Sequence, residues 1–190
     1  MEINRQLVFS RMQTLLFARV QIVHLPDRIR LLLFDIDGTL YDSPEYQAFQ
    51  TRRLITRMAE HLGYSPTAME NRIRDLRSAF HPRKAALSEL GLALGIPLSL
   101  NVQWRRDDFV PGDFLAPDKN LRDALSALLD HGYQVAALTN NPASVGFATL
   151  EALGVADRFP VLVGLDDVGA PKPDPEGFNR VLQKTGIAAT

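Results

Sequence analysis

Two aspartates stand two residues apart in Asp35-Ile36-Asp37-Gly38-Thr39-Leu40, directly after an apolar run. Where a strand gives way to a loop, the turning backbone lets both carboxylates face one pocket. Neighbouring acids in different surroundings can divide labour, one ionised as a nucleophile and the other holding a proton for a departing alkoxide. A second candidate is Thr139, followed by Asn140 and Asn141. There a hydroxyl and backbone amides at a helix start can hold phosphate oxygens. A third is Lys172, in Ala-Pro-Lys-Pro-Asp-Pro-Glu-Gly-Phe, a rigid segment that sets one ammonium beside a helix N-terminus. Taken singly, each has a plainer reading. The DxDG pair also suits a turn whose side chains satisfy loop amides, Asn141 suits an N-cap before Pro142, and a lysine among prolines often faces solvent.

The segments that must carry these residues alternate between strand and helix. Residues 29–34 read as a buried parallel strand delivering Asp35, and residues 133–138 as a second delivering Thr139. A short third strand is expected over 161–165. Leu121, Leu125, Leu128 and Leu129 form a helical stripe stopped at His131-Gly132. Asn141-Pro142 opens the next helix, which Gly154 ends, and Asp174-Pro175 caps the last, through Val181 and Leu182. Between the first strand and this alternation lie residues 43–112. There Ser43-Pro44 and Ser65-Pro66 open helices, Gly63 closes the first, and a third runs through Leu87, Leu90 and Leu94 to Gly95.

The expected fold class is therefore α/β, a Rossmann-like doubly wound parallel sheet. Residues 29–42 and 113–190 form its core, and 43–112 insert as a helical cap above the carboxyl edge where ligands bind. Residues 1–28, arginine-rich with Leu7, Val8, Met12, Leu15 and Leu16 at near-helical spacing, read as an amphipathic extension outside the fold rather than a targeting segment.

Of 190 residues, 46% are hydrophobic, enough for a sizeable core. Twenty-one basic and 22 acidic residues leave a net charge of -1, so no overall field favours a nucleic acid polymer or an anionic membrane. The absence of cysteine excludes disulfides and thiolate metal sites and suits a reducing compartment, with cytoplasm the expected location. No apolar run approaches the roughly 18 residues a membrane span needs. Other polar features read as solvated or structural. They are the scattered His24, His61, His81 and His131, the pairs Arg52-Arg53 and Asp166-Asp167, and Trp104-Arg105-Arg106.

The Asp35–Leu40 hexapeptide, the Thr139-Asn140 pair and the Lys172 segment fall in order at successive strand ends. Together, over residues 29–182, they resemble the first three motifs of the haloacid dehalogenase superfamily. The resemblance implies a C1-type cap, Asp35 as nucleophile and Asp37 as general acid and base. It implies Thr139, Asn140 and Lys172 on the substrate phosphate, and Mg²⁺ held by the Asp35 carboxylate and the Asp37 carbonyl. The partner implied is a small phosphorylated metabolite. A halide leaves without a proton whereas an alkoxide does not, so Asp37 favours a phosphatase over a dehalogenase. Leu40-Tyr41, Leu-Thr-Asn-Asn and Lys-Pro-Asp-Pro look most like the pyrimidine 5'-nucleotidase branch, with phosphoglycolate-type phosphatases and phosphohexomutases as the alternative. The family's fourth, acidic motif is expected past Gly186-Ile187, where the sequence stops at Thr190. From that we expect weakened Mg²⁺ binding and low activity, with a non-catalytic domain as the remaining alternative.

Overall fold

The computed structural model describes residues 29–83 and 85–188, so the extension expected over 1–28 lies outside the described residues. Three parallel strands, β1 (Leu31–Phe34), β2 (Gln134–Leu138) and β3 (Val161–Val163), form a sheet in the order β1-β2-β3. Phe34 lies opposite Ala137 in the first pairing and Ala137 opposite Leu162 in the second. This register brings Asp35, Thr139 and Gly164 out together at the carboxyl edge, where ligands bind in open α/β sheets.

β2 is apolar on both faces. Val135 and Ala137 pack with Leu125, Leu128, Leu150 and Phe159, while Ala136 and Leu138 pack with Val163 and Val181. The first set covers one face with α5 (Lys119–Asp130) and α6 (Ala143–Ala152), and the second covers the other with α8 (Pro175–Thr185). Helices on both faces explain why the strand has no polar alternation. β3 stops two residues earlier than expected because a one-turn helix, α7 (Leu165–Val168), begins there.

Four helices fill the segment between β1 and α5: α1 (Pro44–Leu62), α2 (Pro66–Ala79), α3 (Leu87–Ala93) and α4 (Leu98–Asp108). The side chains of Ser43 and Ser65 cap the first two, and Gly63 ends α1 in the left-handed region at φ 70°. Leu54, Met58, Met69, Ile73, Leu90 and Trp104 form an apolar cluster of their own, joined by Val145 from α6. Each large buried side chain of this kind contributes roughly 1.5–3 kcal/mol. Where the segment enters and leaves, the ring of Tyr46 stacks on Phe114 at 5.1 Å, and Phe49 meets the same ring at 4.8 Å.

α4 is absent from the sequence reading, which ends the third helix near Gly95 and continues no further. Of its four buried positions, Asn101, Val102, Trp104 and Arg105, two are polar, so the stripe is not an apolar one.

Candidate functional site

β1 ends on Asp35, whose side-chain Oδ1 accepts from the Ile36 backbone N–H at 2.8 Å and pairs with Lys172 Nζ at 2.5 Å. The same ammonium donates to the Leu138 carbonyl at 2.8 Å, so one lysine ties the ends of β1 and β2. The lysine is aimed by Asn140. Its Oδ1 accepts from the Lys172 N–H at 2.7 Å and its Nδ2 faces the Lys172 carbonyl at 3.4 Å. The Asn140 carboxamide, expected on phosphate, is thus engaged with the lysine backbone.

Asp37, half-buried, is surrounded differently. Tyr41 Oη donates to its Oδ1 at 2.7 Å and Gln50 Nε2, from α1, reaches the same oxygen at 3.3 Å. Thr139 Oγ1 at 3.2 Å and Asn141 Nδ2 at 3.0 Å both reach Oδ2. The Thr139 hydroxyl is buried and also accepts from the Asn141 N–H at 3.0 Å, so it is turned to the carboxylate behind the site. Burial, reinforced by the facing Asp37 charge, pushes the Tyr41 phenol well above its ordinary range and keeps it a neutral donor.

Asn141 departs from expectation. The residue before Pro142 reads as an N-cap, but its side chain points into the site, and the α6 amide of Ala143 donates instead to Asp166 Oδ1 at 2.7 Å. Asp167 Oδ2 accepts from the Gly164 N–H at 2.8 Å. The acidic pair expected in a loop therefore sits in α7 and serves these two amides. A Cβ on Gly164 would lie 2.2 Å from the Ala143 nitrogen, so the loops after β2 and β3 meet too closely for any side chain there.

The second departure is Arg105, expected on a solvated face with Trp104. It is 7% exposed, and its neighbour Trp104 is buried as well. Its Nε donates to Asn101 Oδ1 at 2.8 Å and its NH1 to Asn141 Oδ1 at 2.5 Å, with the guanidinium 5.7 Å above the Phe109 ring. Burial draws its pKa down to about 10 against the opposing pull of Asp37, so it stays charged at neutral pH. Arg106 pairs with Asp166, and Arg53 and Arg57 both bind Asp108.

Asp35, Asp37, Asn140 and Lys172 all line one cavity of about 830 Å³, which is also lined by Arg83 and Glu89 from the segment between β1 and α5. Arg83 is paired with Glu89 at 2.8 Å and lies over the Phe80 ring at 5.4 Å. Arg105, Asn141, Tyr41 and Arg83 carry no local sequence signal for these positions. The one clue is the 101/104/105 spacing that places Asn101, Trp104 and Arg105 on one helix face.

Hard oxygen donors at this edge suit Mg²⁺ in kind: the Asp35 carboxylate, 46% exposed, and the Asp37 carbonyl. Both Asp37 carboxylate oxygens are engaged by donors. Among the described residues no group of three or more His, Cys, Asp or Glu gathers to hold a metal. Protein atoms therefore supply few of the six positions, leaving the others to water and phosphate. Among the described residues no helix is long and apolar enough to cross a membrane.

The sequence model of haloacid dehalogenase-like hydrolases matches residues 29–190. An N-acetylmuramic acid 6-phosphate phosphatase from Pseudomonas aeruginosa is 30% identical over 167 residues, covering 84% of this chain and 70% of that protein. A phosphoglycolate phosphatase from Pectobacterium atrosepticum is 30% identical over 171 residues, covering 85% and 69%. A HAD phosphatase structure from Thermococcus onnurineus superposes with a TM-score of 0.54 at 22% identity, over 84% of this chain and 73% of that one, and shares the fold. These relatives do not support the pyrimidine 5'-nucleotidase branch expected from the Leu-Tyr, Leu-Thr-Asn-Asn and Lys-Pro-Asp-Pro stretches, and they favour the phosphoglycolate-type alternative. Those short stretches carry the chemistry of the phosphate end, which is common to all branches, and so do not discriminate leaving groups. On the match across nearly all its described residues and on its phosphatase relatives, the chain belongs to the haloacid dehalogenase-like hydrolases and is an enzyme of the phosphatase kind.

Proposed function

We propose that the protein hydrolyses a small phosphomonoester through a covalent phosphate on Asp35. The observation that carries this is the placement of the exposed Asp35 carboxylate, with Lys172 on it, beside the donor-enclosed Asp37, both opening on one cavity. An Asp35 oxygen attacks phosphorus as the bond to the leaving oxygen breaks, and that oxygen takes the proton from Asp37. Water then attacks the phosphoaspartate with Asp37 accepting its proton, so phosphate leaves and both acids return to their starting states. Lys172 offsets the charge that accumulates between Asp35 and the phosphoryl oxygens. Asn140 holds that lysine in place. Asp35 and the Asp37 carbonyl would hold Mg²⁺, which supplies further charge neutralisation at the phosphoryl group when bound.

For the substrate, the similar proteins are named for phosphate esters of carboxylic acids, glycolate and muramic acid. The cavity that Asp35 lines is also lined by Arg83, whose guanidinium can exchange Glu89 for a substrate carboxylate. The reading is therefore a phosphatase for a small phosphorylated acid. With Mg²⁺ supplied, phosphate release from 2-phosphoglycolate and N-acetylmuramic acid 6-phosphate should exceed that from uridine monophosphate and glucose 6-phosphate. A preference for the nucleotide would overturn the substrate class. Asp35→Asn should lower turnover of every substrate by roughly 10⁴-fold or more, because an amide cannot serve as the anionic nucleophile. Retention of wild-type rates would remove the nucleophile assignment.

A further inference from the structure

Asn141 is held between two groups of opposite demand. Its Oδ1 takes a hydrogen bond from Arg105 at 2.5 Å and its Nδ2 gives one to Asp37 at 3.0 Å. Turned over, the carboxamide would set N–H against guanidinium N–H on one side and oxygen against carboxylate on the other. Only one orientation satisfies both neighbours. Arg105 is itself fixed, through Nε on Asn101 and its face over Phe109, and it is buried with its charge intact. An unneeded buried guanidinium would be costly to the fold, because its desolvation is recovered only through bonds of this quality.

We propose that Arg105, reaching from α4, is a positioning residue for the acid–base group Asp37: it locks the Asn141 carboxamide as a donor and thereby aims the Asp37 carboxyl. This rests on the acid–base role proposed for Asp37. The lock holds one of the four groups that enclose the carboxyl oxygens. Oδ2 meets the Asn141 amide and the Thr139 hydroxyl, whose oxygen also accepts from the Asn141 N–H. Oδ1 meets the Tyr41 hydroxyl at 2.7 Å and Gln50 Nε2 at 3.3 Å.

The test uses the full chain with Mg²⁺ and two esters that differ in how much they need a proton. An alkyl phosphate such as 2-phosphoglycolate has a poor leaving group. p-Nitrophenyl phosphate has a good one. Replacing Arg105 by methionine, which keeps apolar bulk, should lower kcat on the alkyl ester by at least about tenfold and leave p-nitrophenyl phosphate within about threefold, a fraction of the 10²–10⁴ that general acid catalysis supplies. KM should be little changed on either. Arg105→Lys, which restores a buried donor, should recover part of the alkyl loss. Asn141→Ala should give the same split between esters, and adding Arg105→Met to it should cost nothing more. Equal loss on both esters, or additive losses in the double variant, would overturn the proposal. Independently of turnover, the Asn141 carboxamide protons should exchange slowly in the parent and rapidly in Arg105→Met. Unchanged exchange would overturn it even if the parent proved inactive on every ester, a result that would count separately against the phosphatase reading. If Arg105→Met does not fold, Asn141→Ala carries the same ester comparison.

Discussion

Asp35 at the mouth of the site and Asp37 at its floor are two residues apart and built in opposite ways. The mouth is open and polar, with one cation, Lys172, shared between Asp35 and a strand carbonyl. The floor is closed by four donors drawn from the Asp37 loop, α1 and the end of β2, backed by a buried arginine from α4. A nucleophile must be reachable by phosphorus and must not be smothered in hydrogen bonds. A proton carrier works from one fixed direction and gains from enclosure. The contrast in surroundings therefore tracks the contrast in proposed roles.

Substitutions should separate the two regions. At the floor, Asp37→Asn removes the transferable proton while keeping the volume. It should slow alkyl phosphate hydrolysis by about 10²–10⁴-fold and spare p-nitrophenyl phosphate far more, as read from the ratio of their kcat values. At the mouth, Lys172→Met should lower kcat/KM by about 10²-fold on both esters alike, because the charge it offsets develops on phosphorus whatever leaves. If Lys172→Met discriminated between esters, the division into mouth and floor would fail.

Gly164→Ala strikes the floor indirectly, since its Cβ has no room beside Ala143 and the strain is delivered next to Asn141. We expect about 1–3 kcal/mol of lost stability by denaturant melt, together with a weaker version of the Asp37→Asn ester split. The smallest effect on chemistry belongs to Asp108, whose carboxylate is paired with Arg53 and Arg57. Hydrogen bonds from Arg57 and then Arg53 hold its carboxyl below the usual carboxylate range. The folded form therefore binds its proton less readily than the unfolded chain, and the stabilisation is present above about pH 4 and is lost on acidification through the lower, folded-state pKa. Asp108→Asn should cost about 1–3 kcal/mol at neutral pH, a deficit that narrows at low pH, with the ester ratio unchanged.

From the sequence alone both carboxylates and Lys172 could be placed at one edge, but not the Tyr41, Gln50, Asn141 and Arg105 groups gathered around Asp37. Asp35, Asp37 and Lys172 follow strand ends that announce themselves as apolar runs, and parallel register then brings those ends to one edge. The α/β class follows from the same alternation. Asn141 was misread because Asn-Pro is a sound local signature for an N-cap, and the residue that does the capping, Asp166, is 23 positions away in sequence. Arg105 was misread because a Trp-Arg-Arg triplet looks solvated until α4 is laid against α6. Its partners Asn101 and Asn141 come from separate elements, and nothing within a helical turn marks the second. The branch of the family was likewise hidden, since the residues we propose for leaving-group selection, Arg83 and Glu89, have no motif of their own.

The seam between the loops that follow β2 and β3 also bears on how such a protein can diverge. Thr139 N–H meets the Val163 carbonyl, Leu165 N–H meets the Asn141 carbonyl, and the Ala143 and Gly164 amides are both tied down by α7. Adding even one residue to either loop would unpick several of these bonds at once and shift Asn141 off Asp37. Length changes in descendants of this chain should therefore be purged from 139–143 and 163–167 and accumulate elsewhere, most readily around 80–86, where the chain passes between α2 and α3. Of these, Arg83, Ala85 and Ala86 line the cavity. On the proposed reading, the lineage can alter what it recognises there without disturbing how it breaks the bond.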